Sequence, residues 1–145
     1  MQHKFRSEER ADMSIEYIKT KDNVLTSIII RHDFHPTGTM FVTSPDLAQQ
    51  VGFVVYPQGG LIKRHIHKNV DRQNISSSEA LIVREGKLEI DIFDEDKNLV
   101  ATHLLEAGDF VLMVSGGHGF RVLEATVLLE VKLGPYGGAE DKELF

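Results

Sequence analysis

His65 and His67 are separated by a single residue. Of all the side chains in the sequence, these two have the spacing that most clearly suggests chemistry. In an extended strand, residues i and i+2 point to the same face and lie about 6–7 Å apart. Two neutral imidazoles that converge from one strand favour a site for a divalent first-row metal. The alternative is a pair of solvated histidines beside Lys63 and Lys68 on an exposed strand.

The composition excludes several other kinds of chemistry. The chain has 145 residues, about one ordinary domain, and no cysteine, which excludes disulfides, iron–sulfur clusters, cysteine zinc sites and thiol catalysis. Its 16 Lys and Arg against 22 Asp and Glu give a formal net charge of −6, whereas binding to duplex nucleic acid needs clustered cations. No apolar segment has signal-peptide or membrane-spanning length. We therefore expect a cytoplasmic protein with no nucleic-acid partner and no membrane anchor.

The hydrophobic pattern predicts an all-β domain over residues 24–145, preceded by a polar N-terminal arm over residues 1–23. Short β-branched or alternating segments recur at spacings near ten residues, without long helical patterns, which is typical of a sandwich or barrel. The predicted strands are 24–30, 39–43, 51–56, 79–84, 87–93, 99–105, 110–114, 119–123 and 126–133.

Two short segments carry signals for particular connections. Ser44 as N-cap, followed by Pro45 at the first helical position, predicts a helix of about two turns. Glu85 and Gly86 separate two strand-like segments, and they predict a tight hairpin between those strands.

Glycines and a glutamate extend the pattern around the two histidines. Gly59 is followed by five residues and then by His65 and His67, and Glu79 is followed by six residues and then by Gly86. This pattern resembles the first motif of the cupin superfamily, which reads G, five residues, H-x-H, three or four residues, E, six residues, G. Eleven residues separate the second histidine from the glutamate here, and we interpret the excess as an expanded loop.

A second pattern begins at Gly108 and ends at His118. It resembles the second cupin motif, which reads G, five residues, P-x-G, two residues, H. Val114 stands where proline is usual, and one residue is missing before the histidine. The glycine-rich turn just before His118 could absorb that deletion, because glycine reaches positive φ at little cost. The two motifs together extend over residues 51–133, more than half of the chain.

The resemblance implies a double-stranded β-helix, the jelly-roll barrel of cupins, with metal ligands that point inward near one open end. The implied ligands are His65, His67, Glu79 and His118. Asp71 is a rival for the carboxylate position, since it stands at the ordinary distance after His67. This donor set suits one divalent ion of Fe, Mn, Ni, Co, Cu or Zn, with about two coordination positions open. The alternative is a metal-free cupin barrel in which the same histidines are hydrogen-bonding groups.

Three further side chains are weaker candidates for ligand binding, namely Lys63, Arg72 and Tyr136. Lys63 shares the predicted strand face of the two histidines and could meet an anionic ligand, Arg72 lies in the expanded loop, and Tyr136 follows the last strand. The alternatives are a surface lysine and a solvated loop. Glu130 and Lys132 share one face of the last strand, which predicts a structural ion pair.

Three classes of function follow from the resemblance. The first is a metal-dependent protein that acts on a small molecule, in which the metal polarises a ligand oxygen or activates dioxygen. The second is a metal-free isomerase or epimerase of a nucleotide-linked sugar, with a histidine as base. The third is a non-catalytic domain that binds a small molecule. We favour the first, although a fold alone does not determine function, and the sequence leaves open whether the chain is an enzyme.

Apolar residues on both faces of the predicted strand 79–84 suggest a partner. Ala80 and Ile82 alternate with Leu81 and Val83, so each face of the strand needs a cover. The available covers are the strand 24–30 and a second subunit. We therefore predict an isologous homodimer, across which the N-terminal arm could swap.

Overall fold

The computed structural model describes residues 14–65, 78–133 and 143–145. All regular structure in these ranges is β, as the sequence predicts. The chain divides into a small unit, His35–Ser76, and a sheet unit, Met1–Phe34 with Ser77–Phe145. Within the described ranges, no helix has the length and apolar character that crossing a bilayer requires.

Eight strands occur in the described residues, and all the pairs between them are antiparallel. They are β1 (Ile15–Lys19), β2 (Leu25–Ile30), β3 (Met40–Phe41), β4 (Gly52–Phe53), β5 (Glu79–Phe93), β6 (Leu99–Glu106), β7 (Phe110–Met113) and β8 (Gly117–Lys132). The small unit contains the β3–β4 pair. The other six strands form one sheet in the order β1-β2-β7-β5-β6, and β8 pairs with β5.

The predicted hairpin at Glu85 and Gly86 is wrong, because β5 continues through both residues. The first half of β5 pairs with β7 and the second half with β6, while β8 pairs with it from end to end. Register shifts on either side of Glu85 mark β-bulges in the β5–β8 pair. Gly86 has a φ of +89°, and a Cβ there would lie 2.2 Å from the Ala125 carbonyl oxygen. The glycine therefore permits a bulge in a continuous strand, and β8 is likewise one strand where the sequence predicts two.

The predicted helix at Ser44 and Pro45 is also wrong, because this segment is a turn. The N–H of Leu47 donates to the Ser44 carbonyl at 3.1 Å. The Gln50 side-chain amide donates to the carbonyls of Ser44 and Leu47 at 2.9 and 2.7 Å. Because this side chain occupies acceptors that a longer helix would use, the chain leaves the turn after one hydrogen bond.

The centre of the sheet is apolar on both faces. On one, the inner face, the register aligns the core residues Ile29, Val111 and Leu81 across β2, β7 and β5. The inner face continues along the second half of β5 through Leu88, Ile90 and Ile92, which are fully buried. On the opposite face, Ile28, Leu112 and Ala80 align and are buried too. Strand 79–84 is therefore apolar on both faces, as its alternation predicts.

The sequence offers strand 24–30 and a second subunit as elements that could pack over the faces of strand 79–84. The first of these is wrong. β2 lies in the same sheet as β5, with β7 between them, so it cannot cover a face of β5. The strand β1, which the sequence assigns to the N-terminal arm, pairs with β2 of its own chain. The homodimer stays a prediction.

The sheet curls into a half-barrel, and side chains connect the edge strand β1 with β6. Arg31, which follows β2, forms a 2.6 Å ion pair with Glu16 of β1 and donates to the Leu104 carbonyl of β6 at 2.7 Å. Glu16 also lies 3.6 Å from Nδ1 of His103 on β6. A cavity of about 440 Å³ lies between the two strands.

Because His103 takes part in the contacts between β1 and β6, the free energy of unfolding should depend on pH. Burial lowers the pKa of His103 below its ordinary value of 6.5, with Glu16 opposing the shift and Arg31 adding to it. As the pH falls below 6.5, the unfolded chain takes up a proton before the folded chain does, so the free energy of unfolding should fall. This loss should continue until the pH reaches the lowered pKa of the folded protein.

Urea unfolding of the wild type and His103→Gln, from about pH 7.5 to about pH 5, measures this effect. Glutamine cannot titrate, so the stability of the wild type relative to the variant should decrease towards acid pH. A difference that stays constant over this range would contradict the prediction.

Candidate functional site

The structure brings together two of the four predicted metal ligands, Glu79 and His118. Oε2 of Glu79 lies 3.6 Å from Nε2 of His118. The side chains are 22% and 26% exposed, so the pair is partly buried and still within reach of a ligand. Both come from the sheet unit.

The curl of β5 is the reason these residues meet. Glu79 is the first residue of β5, whereas His118 pairs with Ile92 near its end. In a straight strand, that distance along the chain would be about 40 Å. Glu79, at the start of β5, also pairs with Met113 of β7. Because β8 begins only four residues after Met113, His118 stays close to this end of β5. The bulges around Gly86 supply the bend that this arrangement requires.

Both side chains lie on the inner face of the sheet. Glu79 stands two residues before the core residue Leu81, and His118 lies opposite the core residue Ile92. The next residue of β8 on this face, Phe120, has its ring centroid 5.5 Å from that of His118. The carboxylate and the imidazole therefore border the apolar core.

A tight turn fixes the position of His118 at the start of β8. Gly116 has a φ of +73°, and a Cβ there would lie 2.1 Å from the Phe93 carbonyl oxygen. A larger residue would therefore require both a strained backbone and a shift of β5. The turn thus uses the positive φ that glycine reaches at little cost.

An ion pair lies beside the two predicted ligands. Nζ of Lys132 is 3.0 Å from Oε1 of Glu130, which confirms the predicted pair. Lys132 is the cross-strand partner of Glu79, and Glu130 is the partner of Leu81, so both charged residues lie on the inner face. Sequence reasoning missed this proximity, because alternation shows which residues share a face but not which residue lies opposite.

The structure describes two of the other predicted site residues. His65 and Lys63 belong to the small unit, where Nδ1 of His65 lies 2.9 Å from the Lys63 carbonyl oxygen. Residues 61–65 form no strand, so the same-face geometry expected of the H-x-H pair is not seen at His65. The remaining predicted residues, His67, Asp71, Arg72 and Tyr136, lie outside the described residues.

The Glu79–His118 distance suits two kinds of chemistry. Two donors bound about 2.1 Å from one metal ion lie roughly 3.0–3.4 Å apart, so a shift of a few tenths of an ångström would let both bind. One carboxylate and one imidazole are donors that first-row divalent ions accept. The same two groups could instead orient and exchange a proton. In the part of the chain that the structure describes, no group of three or more His, Cys, Asp or Glu side chains could hold a metal ion.

Comparisons with known proteins do not assign the chain to a family. A scan against protein-family models, a search of curated proteins and a search of solved structures each found no match. The cupin resemblance therefore depends on the motif residues of the sequence.

Proposed function

We propose that the chain is a cupin-type protein that binds a divalent first-row metal and acts on a small molecule. The observation that carries the proposal is the 3.6 Å approach of Glu79 to His118. The glutamate comes from one motif and the histidine from the other, and they meet on the inner face of a curled antiparallel sheet. The resemblance supplies the two other proposed ligands, His65 and His67, and the jelly-roll form of the barrel.

Each described residue has a definite part in this proposal. Glu79 provides an anionic oxygen and His118 a neutral imidazole nitrogen, and the apolar core beside them limits access of water. A bound metal would polarise an oxygen of the ligand or activate dioxygen. The proposed ion is one of Fe, Mn, Ni, Co, Cu and Zn, because all accept this donor set.

Substitution of either described ligand should weaken metal binding. We expect Glu79→Gln and His118→Ala each to lower the affinity for Co(II) or Zn(II) by about 100-fold, because the first replaces an anionic oxygen donor with a neutral amide and the second removes an imidazole donor. Calorimetry on protein purified without a metal-affinity step measures the affinity, and circular dichroism checks that the variants fold.

His103→Ala is the matched control. His103 also lies 3.6 Å from a glutamate, Glu16, and its side chain is 24% exposed against 26% for His118. This control should bind metal as the wild type does. A wild-type protein without metal affinity, or a His118→Ala variant that keeps it, would contradict the proposed site.

The same pair of residues also favours a second candidate, a metal-free isomerase or epimerase with His118 as base. A carboxylate beside an imidazole can fix its orientation and stabilise its protonated form. Turnover of a nucleotide-linked sugar that persists after chelation and disappears in His118→Ala would favour this candidate over the metal-dependent one.

The proposal also includes a homodimer in the cytoplasm that has no nucleic-acid partner. The net charge of −6 supports the last part, because a phosphate backbone repels an acidic surface. Light scattering over a range of concentrations distinguishes a dimer from a 16.3 kDa monomer.

A further inference from the structure

The ion pair of Lys132 and Glu130 lies on the inner face directly beside Glu79, one of the proposed metal ligands. Cross-strand partners have Cβ atoms about 4.5–5.5 Å apart, so Lys132 is an immediate neighbour of Glu79. Glu130 is the inner-face residue that precedes Lys132 in β8, and it pairs with Leu81. A small molecule that reached the Glu79–His118 pair would therefore encounter both charges of the ion pair.

This ion pair is open to exchange with a ligand. The side chains of Lys132 and Glu130 are 35% and 38% exposed, so both charged groups remain partly in contact with water. Exposed ion pairs of this kind contribute little to stability. A ligand can therefore separate the two side chains without leaving a buried charge behind.

The two charges select for a ligand that also carries both signs. The proposed metal would neutralise the neighbouring Glu79 carboxylate, so Lys132 and Glu130 are the two remaining charges that a ligand would meet beside it. A purely anionic ligand at Lys132 would be repelled by the Glu130 carboxylate, and a purely cationic ligand at Glu130 would be repelled by the Lys132 ammonium. A molecule with one carboxylate and one ammonium group can pair with both residues and repel neither. Leu128, the preceding inner-face residue of β8, packs against the core and offers an apolar contact for the rest of the ligand.

We propose that Lys132 and Glu130 recognise a small zwitterion with an amino-acid-like pair of charges. Its carboxylate binds the Lys132 ammonium and its ammonium binds the Glu130 carboxylate, next to Glu79 and His118. This inference deepens the proposed function and rests on it, because it names the class of small molecule that the same site takes.

Three probes with the same carbon chain test the charge requirement: β-alanine, propionate and n-propylamine. Their binding to the full chain is followed by ¹H–¹⁵N chemical shifts at millimolar concentration, with and without Zn(II). We expect saturable binding of β-alanine that shifts the amide signals of residues 130–132, and at least tenfold weaker binding of the other two probes. No binding of β-alanine, or equal binding of propionate, would overturn the proposal.

Substitutions test which residues recognise the charges. Lys132→Met and Glu130→Gln should each weaken β-alanine binding at least tenfold. Lys87→Met is the matched control, because Lys87 is also 35% exposed and lies 3.5 Å from Glu106 and 3.6 Å from Glu124. Unchanged β-alanine binding in Lys132→Met, or an equal loss in Lys87→Met, would overturn the assignment.

Zn(II) affinity, measured separately, distinguishes failure of this inference from failure of the metal site. Lys132→Met should bind Zn(II) at least as tightly as the wild type, since it removes no proposed ligand and takes away a positive charge beside Glu79. A wild type that binds Zn(II) but not β-alanine overturns the zwitterion site alone. A wild type that binds β-alanine but not Zn(II) contradicts the metal site and supports the zwitterion site.

Discussion

Asp109→Ala should lower the free energy of unfolding by about 2–4 kcal/mol, because this buried carboxylate accepts hydrogen bonds from three donors in two separate segments of the chain. Its side chain is only 3% exposed. One oxygen accepts from the Arg31 guanidinium at 3.1 Å and from the Glu106 N–H at 2.9 Å, and the other accepts from the His32 N–H at 3.0 Å. Alanine would leave two backbone donors and a partly buried guanidinium without this acceptor.

Urea unfolding measures this loss, and Asp96→Ala is its control. Asp96 is exposed in the turn between β5 and β6, so its replacement should change stability by less than about 0.5 kcal/mol. If Asp109→Ala lowered the free energy of unfolding as little as Asp96→Ala does, the carboxylate would not hold the β6–β7 turn against the end of β2.

Gly86→Ala should also cost about 2–4 kcal/mol of unfolding free energy, because the bulge in β5 has no room for a side chain. The φ of +89° disfavours any residue with a Cβ, and that Cβ would lie 2.2 Å from the Ala125 carbonyl oxygen and 2.6 Å from Thr126 Oγ1. The two β-strands would have to separate locally to accept it. Chemical denaturation of the variant and the wild type measures the difference.

Two other glycines distinguish the two causes of the loss expected for Gly86→Ala, which are backbone strain and steric contact. Gly59 has a φ of +82° with open space around its Cβ position, so Gly59→Ala should show only the backbone strain, about 1 kcal/mol. Gly119 lies in β8 with open space and no positive φ, so Gly119→Ala should be close to neutral. A Gly86→Ala variant no less stable than Gly59→Ala would show that the contact with Ala125 does not constrain the bulge.

Local sequence patterns predicted most of the strands and one part of the site. The alternation of Leu88, Ile90 and Ile92 predicts a strand with one buried face, and all three are fully buried. The motif spacings nominated Glu79 and His118 independently, and the structure places them 3.6 Å apart. The strand prediction succeeded because period-two alternation depends only on neighbouring residues. That Glu79 and His118 bind a metal stays a prediction.

The parts that failed depend on residues distant in the chain. A glycine with positive φ serves a hairpin or a bulge equally well, and at Gly86 the choice depends on β8, which begins about thirty residues later. The turn at Ser44 resembles a helix start until the Gln50 amide occupies its carbonyl groups. The proximity of Lys132 to Glu79 depends on the register of two long strands with several bulges, which alternation does not determine.

The end-to-end pairing of β5 with β8 has a consequence for how the protein folds. Glu79 pairs with Lys132, a residue 53 positions later, and the described sheet contains many such distant pairs. Folding that depends on distant contacts is slow, on the order of milliseconds to seconds for domains of this kind. During synthesis, a ribosome needs about 3–10 s to add the residues between the two. For that interval β5 has one edge without β8, so the nascent chain is exposed to mispairing with other strands until synthesis reaches the end of β8.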